Sequence, residues 1–135
     1  MSRSFYLAAA LLTVALAAPA SAKAPAGTWQ NPKGTVQVQF RDCGAGGAIC
    51  GRVVSASAAA QAKADAGGGG RLVGSDLFQR FVPAGANRWA GSVLIPDLGQ
   101  TVAGTITQTG PKTLVGEGCL FAGYGCKQQV WTRVR

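Results

Sequence analysis

Alternation of apolar and polar residues along most of the chain predicts a series of short β-strands. The clearest case is GTVQVQFR at 34–41, where valine and phenylalanine alternate with glutamine and arginine, as in a strand with one buried face. Similar segments recur between turns that contain glycine or proline. They predict an all-β fold, a small antiparallel sandwich or barrel of about eight strands. The predicted strands cover 27–29, 34–41, 49–54, 77–82, 88–95, 100–107, 113–117 and 128–134.

The segment 56–70 departs from this pattern. Its first part is rich in alanine, which has the highest helix propensity, and is expected to form one or two helical turns. Four consecutive glycines follow at 67–70 and are expected to act as a flexible linker. A phosphate-binding loop is not favoured, because neither the GxxxxGK[ST] motif nor a strand–glycine–helix context is present. We therefore expect a flexible Ala/Gly-rich insertion at 56–70.

The first 22 residues have the three-part pattern of a secretory signal peptide. Arg3 precedes an apolar run over 5–18, and the small residues Ala20, Ser21 and Ala22 follow it. The apolar run is shorter than the roughly 20 residues that span a bilayer. We expect cleavage after Ala22 and a periplasmic or secreted protein. Its single domain would cover 23–135 and contain no transmembrane segment.

Four cysteines form two pairs with the same CxxxxxxC spacing, Cys43 with Cys50 and Cys119 with Cys126. An even number of cysteines in a small exported domain favours disulfides. Each pair flanks a glycine-rich turn, which favours a bond within the pair, although sequence alone leaves three connectivities open. A metal site is not favoured, because zinc ribbons use CxxC spacing. The CxxC motif of thiol oxidoreductases is also absent.

Composition narrows the classes of function. The 135 residues are 47% apolar and contain no histidine, with 13 Lys plus Arg against 5 Asp plus Glu. Without histidine, a serine or cysteine nucleophile lacks its usual base, so we expect no enzyme activity and no cofactor. The basic residues are spread singly, unlike the clusters typical of nucleic-acid-binding proteins. We expect no nucleic-acid partner, whereas an anionic component of the cell envelope is a candidate through long-range attraction.

Four segments of the chain form a distinctive set of motifs. They are GTW at 27–29, CGRVV at 50–54, RWAGSVLIPDLGQT at 88–101 and CKQQVWTRV at 126–134. Together they resemble a bacterial family of exported proteins, the domain of unknown function 2147 (DUF2147). The family's middle pattern is matched in part, since Leu94 and Ile95 replace its Tyr-Asp pair, and in the linker glycines at 67–70 replace its Asn-Pro. The resemblance implies a small antiparallel barrel similar to lipocalins, and it implies no established activity.

Lipocalins also place a GxW motif on the first strand and a basic residue of the last strand over the indole ring. Trp29 and Arg133 fit this arrangement, with the guanidinium stacked on the ring. With Trp89 and Trp131, they are the residues expected to line or close the barrel. An eight-stranded barrel is filled by side chains or holds one small ligand. The sequence predicts a small apolar or amphipathic ligand, with an envelope interaction module using the basic surface and the flexible 56–70 segment as the alternative.

Overall fold

The computed structural model describes residues 8–14, 23–121 and 124–135, which contain a closed antiparallel barrel and one helix. Each strand pairs with the next strand in sequence, and β8 pairs with β1. The predicted fold class and number of strands are therefore confirmed, while most of the predicted signal peptide at 1–22 lies outside the described residues. The strands are β1 (Thr28–Gln30), β2 (Val36–Asp42), β3 (Ile49–Ala56), β4 (Asp76–Gly85), β5 (Arg88–Ile95), β6 (Gln100–Gly110), β7 (Thr113–Phe121) and β8 (Tyr124–Arg133).

The strand bounds differ most from the prediction at the second cysteine pair. The sequence predicts a glycine-rich loop between 117 and 128, but β7 continues to Phe121 and β8 begins at Tyr124. Cys119 and Cys126 lie directly opposite each other in this ladder and form a disulfide, with their Cα atoms 4.0 Å apart. The second disulfide joins Cys43 to Cys50 across the β2–β3 hairpin. Both bonds are thus local.

The segment 56–70 forms a capped helix, α1 (Ala58–Gly67), which is longer than the one or two turns expected. The hydroxyl of Ser57 accepts a hydrogen bond from the Ala60 N–H at 3.1 Å, and this N-cap satisfies a donor at the free helix end. Gly68 ends the helix in the left-handed conformation that glycine adopts most easily. Ala64 is fully buried in the core, so the helix packs onto the barrel. Among the described residues, no helix has the length and apolar content needed to cross a membrane.

Gly67, the last residue of the helix, and Gly69 lie against the turn between β5 and β6. A Cβ atom on Gly67 would lie 1.9 Å from the carbonyl oxygen of Asp97, and one on Gly69 would lie 2.3 Å from that of Pro96. Both neighbours are backbone atoms, which cannot move aside as a flexible side chain can. Glycine is therefore required here for close approach of two backbone segments, a role that differs from the linker expected from sequence.

We predict that Gly67→Ala destabilises the protein by about 1–3 kcal/mol, the usual cost of forcing extra atoms into a packed contact. Alanine gains up to about 1 kcal/mol in helix propensity, but this gain is smaller than the cost of the clash. Urea unfolding with both disulfides intact measures the change. Gly110→Ala is the control, because no atom lies within 4 Å of its added Cβ. Equal unfolding midpoints for the two variants would contradict the assigned packing.

Candidate functional site

The three tryptophans expected to line the barrel all lie in its core. Trp29 and Trp89 are at most 1% exposed, and Trp131 is 5% exposed. The ring of Phe78 lies 5.4 Å from that of Trp131 and 5.4 Å from that of Phe40, measured between centroids. Because β4 and β8 stand on opposite sides of an eight-stranded barrel, the contact between Phe78 and Trp131 crosses the interior. Side chains therefore fill the barrel at this level.

Two donors in this core have no acceptor. The indole N–H groups of Trp29 and Trp89 are buried, and neither has a hydrogen-bond partner within the part of the chain that the structure describes. An unsatisfied buried donor costs about 1–3 kcal/mol, and the large majority of buried polar groups in proteins are paired. A buried acceptor atom would therefore accept a hydrogen bond from either of these two nitrogens.

Arg133 lies at the rim of the barrel beside Trp29, the residue on which its guanidinium was expected to stack. It is the register partner of Trp29, so the two side chains project from the same face of the sheet. Its Nε donates a hydrogen bond to the carbonyl oxygen of Arg135 at 3.0 Å, and it packs against Gly27. No cation–π contact with Trp29 occurs among the described side chains. Arg133 closes the rim through the backbone of the last residues.

The barrel topology brings three of the seven connections between strands to one end. In a sheet where each strand runs antiparallel to the next, every second connection lies at the same end. The loops 43–48, 86–87 and 111–112 therefore meet where β1 begins and β8 ends. Hydrogen bonds attach two of these loops to nearby strands, from the Gln108 N–H of β6 to the Asn87 carbonyl at 2.8 Å and from the Arg133 N–H of β8 to the Lys112 carbonyl at 3.0 Å.

Exposed cations are concentrated at this end of the barrel, which we call the cationic end. Among the residues of the described strands, Asp42 supplies the carboxylate at the cationic end. Within the described ranges, ion pairs involve Asp76 alone, which accepts hydrogen bonds from Arg41 at 2.9 and 3.1 Å and lies 4.0 Å from Arg52. Among the described residues, the cations of the cationic end thus have no ion-pair partner within 4.0 Å. They are Arg80, Arg88, Lys112, Arg133 and Arg135, all exposed.

A groove of about 500 Å³ continues from the cationic end along the outside of β1, β2 and β3. Polar side chains along it form two separate sets of hydrogen bonds. The amide of Gln37 donates to Gln30 at 3.1 Å and accepts from Arg135 at 3.4 Å, and Gln39 donates to Thr28 at 3.0 Å. The groove therefore extends the basic rim with groups that donate and accept hydrogen bonds.

The clustering of these cations was missed from the sequence, where they stand far apart. Two strands, β5 and β6, separate Arg88 from Lys112 along the chain, and Arg133 is the last residue of β8. The signal was nevertheless present, because each of the three lies beside a predicted turn or terminus. In an up-and-down sheet every second turn lies at the same end, so the order of the predicted strands already places those turns together.

The chain matches the family model described as "Uncharacterized protein conserved in bacteria (DUF2147)" over residues 27–133. The matched range contains all eight strands and the helix. No curated protein and no solved structure gives a significant match to the chain.

We predict that Phe78→Ala destabilises the barrel by about 3–5 kcal/mol, because it removes a ring that contacts both sides of the interior and leaves a cavity. Thermal or urea unfolding measures the loss. Val130→Ala, at a side chain that is 51% exposed on β8, is expected to change stability by less than about 0.5 kcal/mol. A small effect of Phe78→Ala would show that the interior is not packed through this ring.

Proposed function

The chain belongs to the DUF2147 family, and we propose that it is an exported envelope protein whose cationic end binds the anionic head groups of a lipid membrane surface. The observation that carries the proposal is the concentration of five exposed cations and one carboxylate at that end of the barrel. The two disulfides support export, because such bonds form and persist in oxidising compartments.

Electrostatic attraction supplies most of the binding in this proposal. Each Lys or Arg close to an anionic membrane contributes about 1 kcal/mol, and the attraction decays within a Debye length of about 8 Å at physiological salt. Arg88 and Lys112 lie at hairpin turns, and Arg80 lies within β4. Arg133 ends β8 and Arg135 follows it, so the ladder of strands positions all five cations. They can therefore approach one flat surface together with little loss of conformational freedom.

Apolar side chains beside these cations support the choice of a membrane. Val82 and Val134 are each 41% exposed, and Pro83 is exposed next to Val82. Proteins that bind at a membrane interface combine a small apolar contact with cations that attract anionic lipids. The apolar area here is small, so the binding is reversible and depends on salt.

The opposite end of the barrel provides an internal comparison. It contains α1 and the β1–β2 and β5–β6 turns, and its charges are more nearly balanced. Lys33, Lys63 and Arg71 are accompanied there by Asp65 and Asp97. We therefore expect the protein to bind with the cationic end toward the lipid and α1 away from it.

Binding to vesicles tests this orientation. We expect the protein to bind phosphatidylglycerol-containing vesicles more tightly than pure phosphatidylcholine vesicles in a sedimentation assay at low salt. Arg88→Glu/Lys112→Glu removes two attractive charges and is expected to weaken binding at least about 30-fold, which corresponds to about 2 kcal/mol. Raising the salt concentration should weaken binding of the native chain.

Lys33→Glu/Lys63→Glu is the matched control, because it changes the net charge by the same amount at the opposite end. This variant should keep most of the binding. Equal losses in the two variants would show that net charge alone attracts the protein, and absence of binding to the anionic vesicles would overturn the proposal.

A second function, binding of a small amphipathic ligand inside the barrel, is favoured by the unpartnered indole N–H groups of Trp29 and Trp89. A ligand with an acceptor oxygen could accept a hydrogen bond from either donor. It would have to displace part of the aromatic packing around Phe78, because that packing fills the interior at its level.

Mass spectrometry of an organic-solvent extract of the purified protein tests this second function. A stoichiometric compound, present with the native chain and lost in Trp89→Phe, would support it, since phenylalanine keeps the ring character and removes the donor. An extract that matches that of an unrelated exported protein would rule it out.

A further inference from the structure

The outer face of the β7–β8 hairpin brings two cysteines and a carboxylate together. Glu117 pairs with Gln128 and Cys119 pairs with Cys126 in the same ladder, two residues apart along each strand, so the four side chains share one face. The Sγ atom of Cys119 lies 4.0 Å from Oε1 of Glu117. The two sulfurs and a carboxylate oxygen all lie within 4.8 Å of one another.

The carboxylate of Glu117 is oriented toward the sulfurs. Its Oε2 accepts a hydrogen bond from Nε2 of Gln128 at 2.8 Å, which leaves Oε1 on the side of Cys119. No Lys or Arg of the described chain lies within ion-pairing distance of Glu117, although the protein is strongly basic. A carboxylate held by a neighbouring amide and free of a cation has the arrangement of a metal ligand with its outer hydrogen bond.

The other disulfide has a different environment. Cys50 is 7% exposed, and its sulfur accepts a hydrogen bond from the backbone N–H of Arg80 at 3.4 Å. Cys126, in contrast, is exposed on the surface of β8. A soluble thiol can therefore reach the Cys119–Cys126 bond more easily, since thiol exchange requires access to a sulfur.

We propose that the Cys119–Cys126 pair, once reduced by a dithiol, binds a thiophilic divalent metal such as Zn²⁺, with the two thiolates and Glu117 as protein ligands. The dithiol gives two electrons and two protons to the S–S bond, which yields two cysteine thiols and leaves the dithiol oxidised to a disulfide. Metal binding then releases both thiol protons to solvent.

The cross-strand arrangement suits this ligand set. Zn–S bonds of about 2.3 Å in a tetrahedral site place two sulfurs about 3.8 Å apart. The Cα atoms of Cys119 and Cys126 are 4.0 Å apart, so rotation of the side chains alone can give that separation. Two thiolates and one carboxylate leave the fourth position to water, and the exposure of Cys126 places that position toward solvent.

Metal titration of the reduced protein tests the proposal. In Cys43→Ser/Cys50→Ser, the thiols of Cys119 and Cys126 are the ones that remain. After reduction and anaerobic removal of the reductant, Co²⁺ should give one equivalent of thiolate-to-metal charge-transfer absorption, and Zn²⁺ should displace it. The reciprocal variant Cys119→Ser/Cys126→Ser, which keeps the other pair, should bind at least about 10-fold more weakly, because among the described residues Asp42 does not form a close ligand group with Cys43 and Cys50 as Glu117 does with Cys119 and Cys126.

The carboxylate and its amide partner provide the sharper test. Glu117→Gln should weaken metal binding about 10–100-fold, and Gln128→Ala about 10-fold, the usual loss for a residue that orients a ligand. If the serine variants do not fold, the fully reduced native chain is compared with Glu117→Gln and with Asp42→Asn, a carboxylate next to Cys43. Absence of binding, equal binding by the two cysteine pairs, or equal effects of Glu117→Gln and Asp42→Asn would overturn the proposal.

Discussion

The sheet closes on itself through a short contact between β1 and β8, and the barrel depends on that contact. Two register pairs form it, Trp29 with Arg133 and Gln30 with Thr132. Backbone hydrogen bonds of 3.0 and 2.8 Å extend it, one from the Thr28 N–H to Arg135 and one from Val134 to the Thr28 carbonyl. So few bonds can hold the closure because Trp29 is fully buried beneath it. The closure therefore rests on core packing as much as on the ladder.

The short closure leaves most of β8 with a single strand partner. From Tyr124 to Trp131, the described pairing of β8 is with β7 alone. An unpaired strand edge is a template for association with other chains, and proteins commonly protect it with charge. Lys127 and two glutamines occupy the middle of this edge. The disulfide between Cys119 and Cys126 also ties β8 to β7 where the described pairing gives β8 no other strand partner.

The sequence predicts the strands well and the packing between them poorly. Alternation at 34–41 identifies β2 because each strand residue alternates between core and solvent, which is a local property. The glycines at 67–70 were misjudged because their requirement is not local: the backbone of Asp97 and Pro96, almost 30 residues later, approaches them. The contact between Phe78 and Trp131 depends on strand tilt and register, which alternation does not specify. The cationic end could have been found, since it follows from strand order alone.

A filled interior changes where this barrel can bind a partner. A barrel can hold a large cavity only where its inward side chains leave space. In this barrel the rings of Phe40, Phe78 and Trp131 meet across the interior. Side chains on the outside are free of that packing constraint, so charges can accumulate there without disturbing the core. Among the described residues, the five exposed cations at one end have no ion-pair partner within 4.0 Å, and their mutual repulsion favours an external anion. The same strand order that closes the core therefore also assembles the surface that we propose for binding.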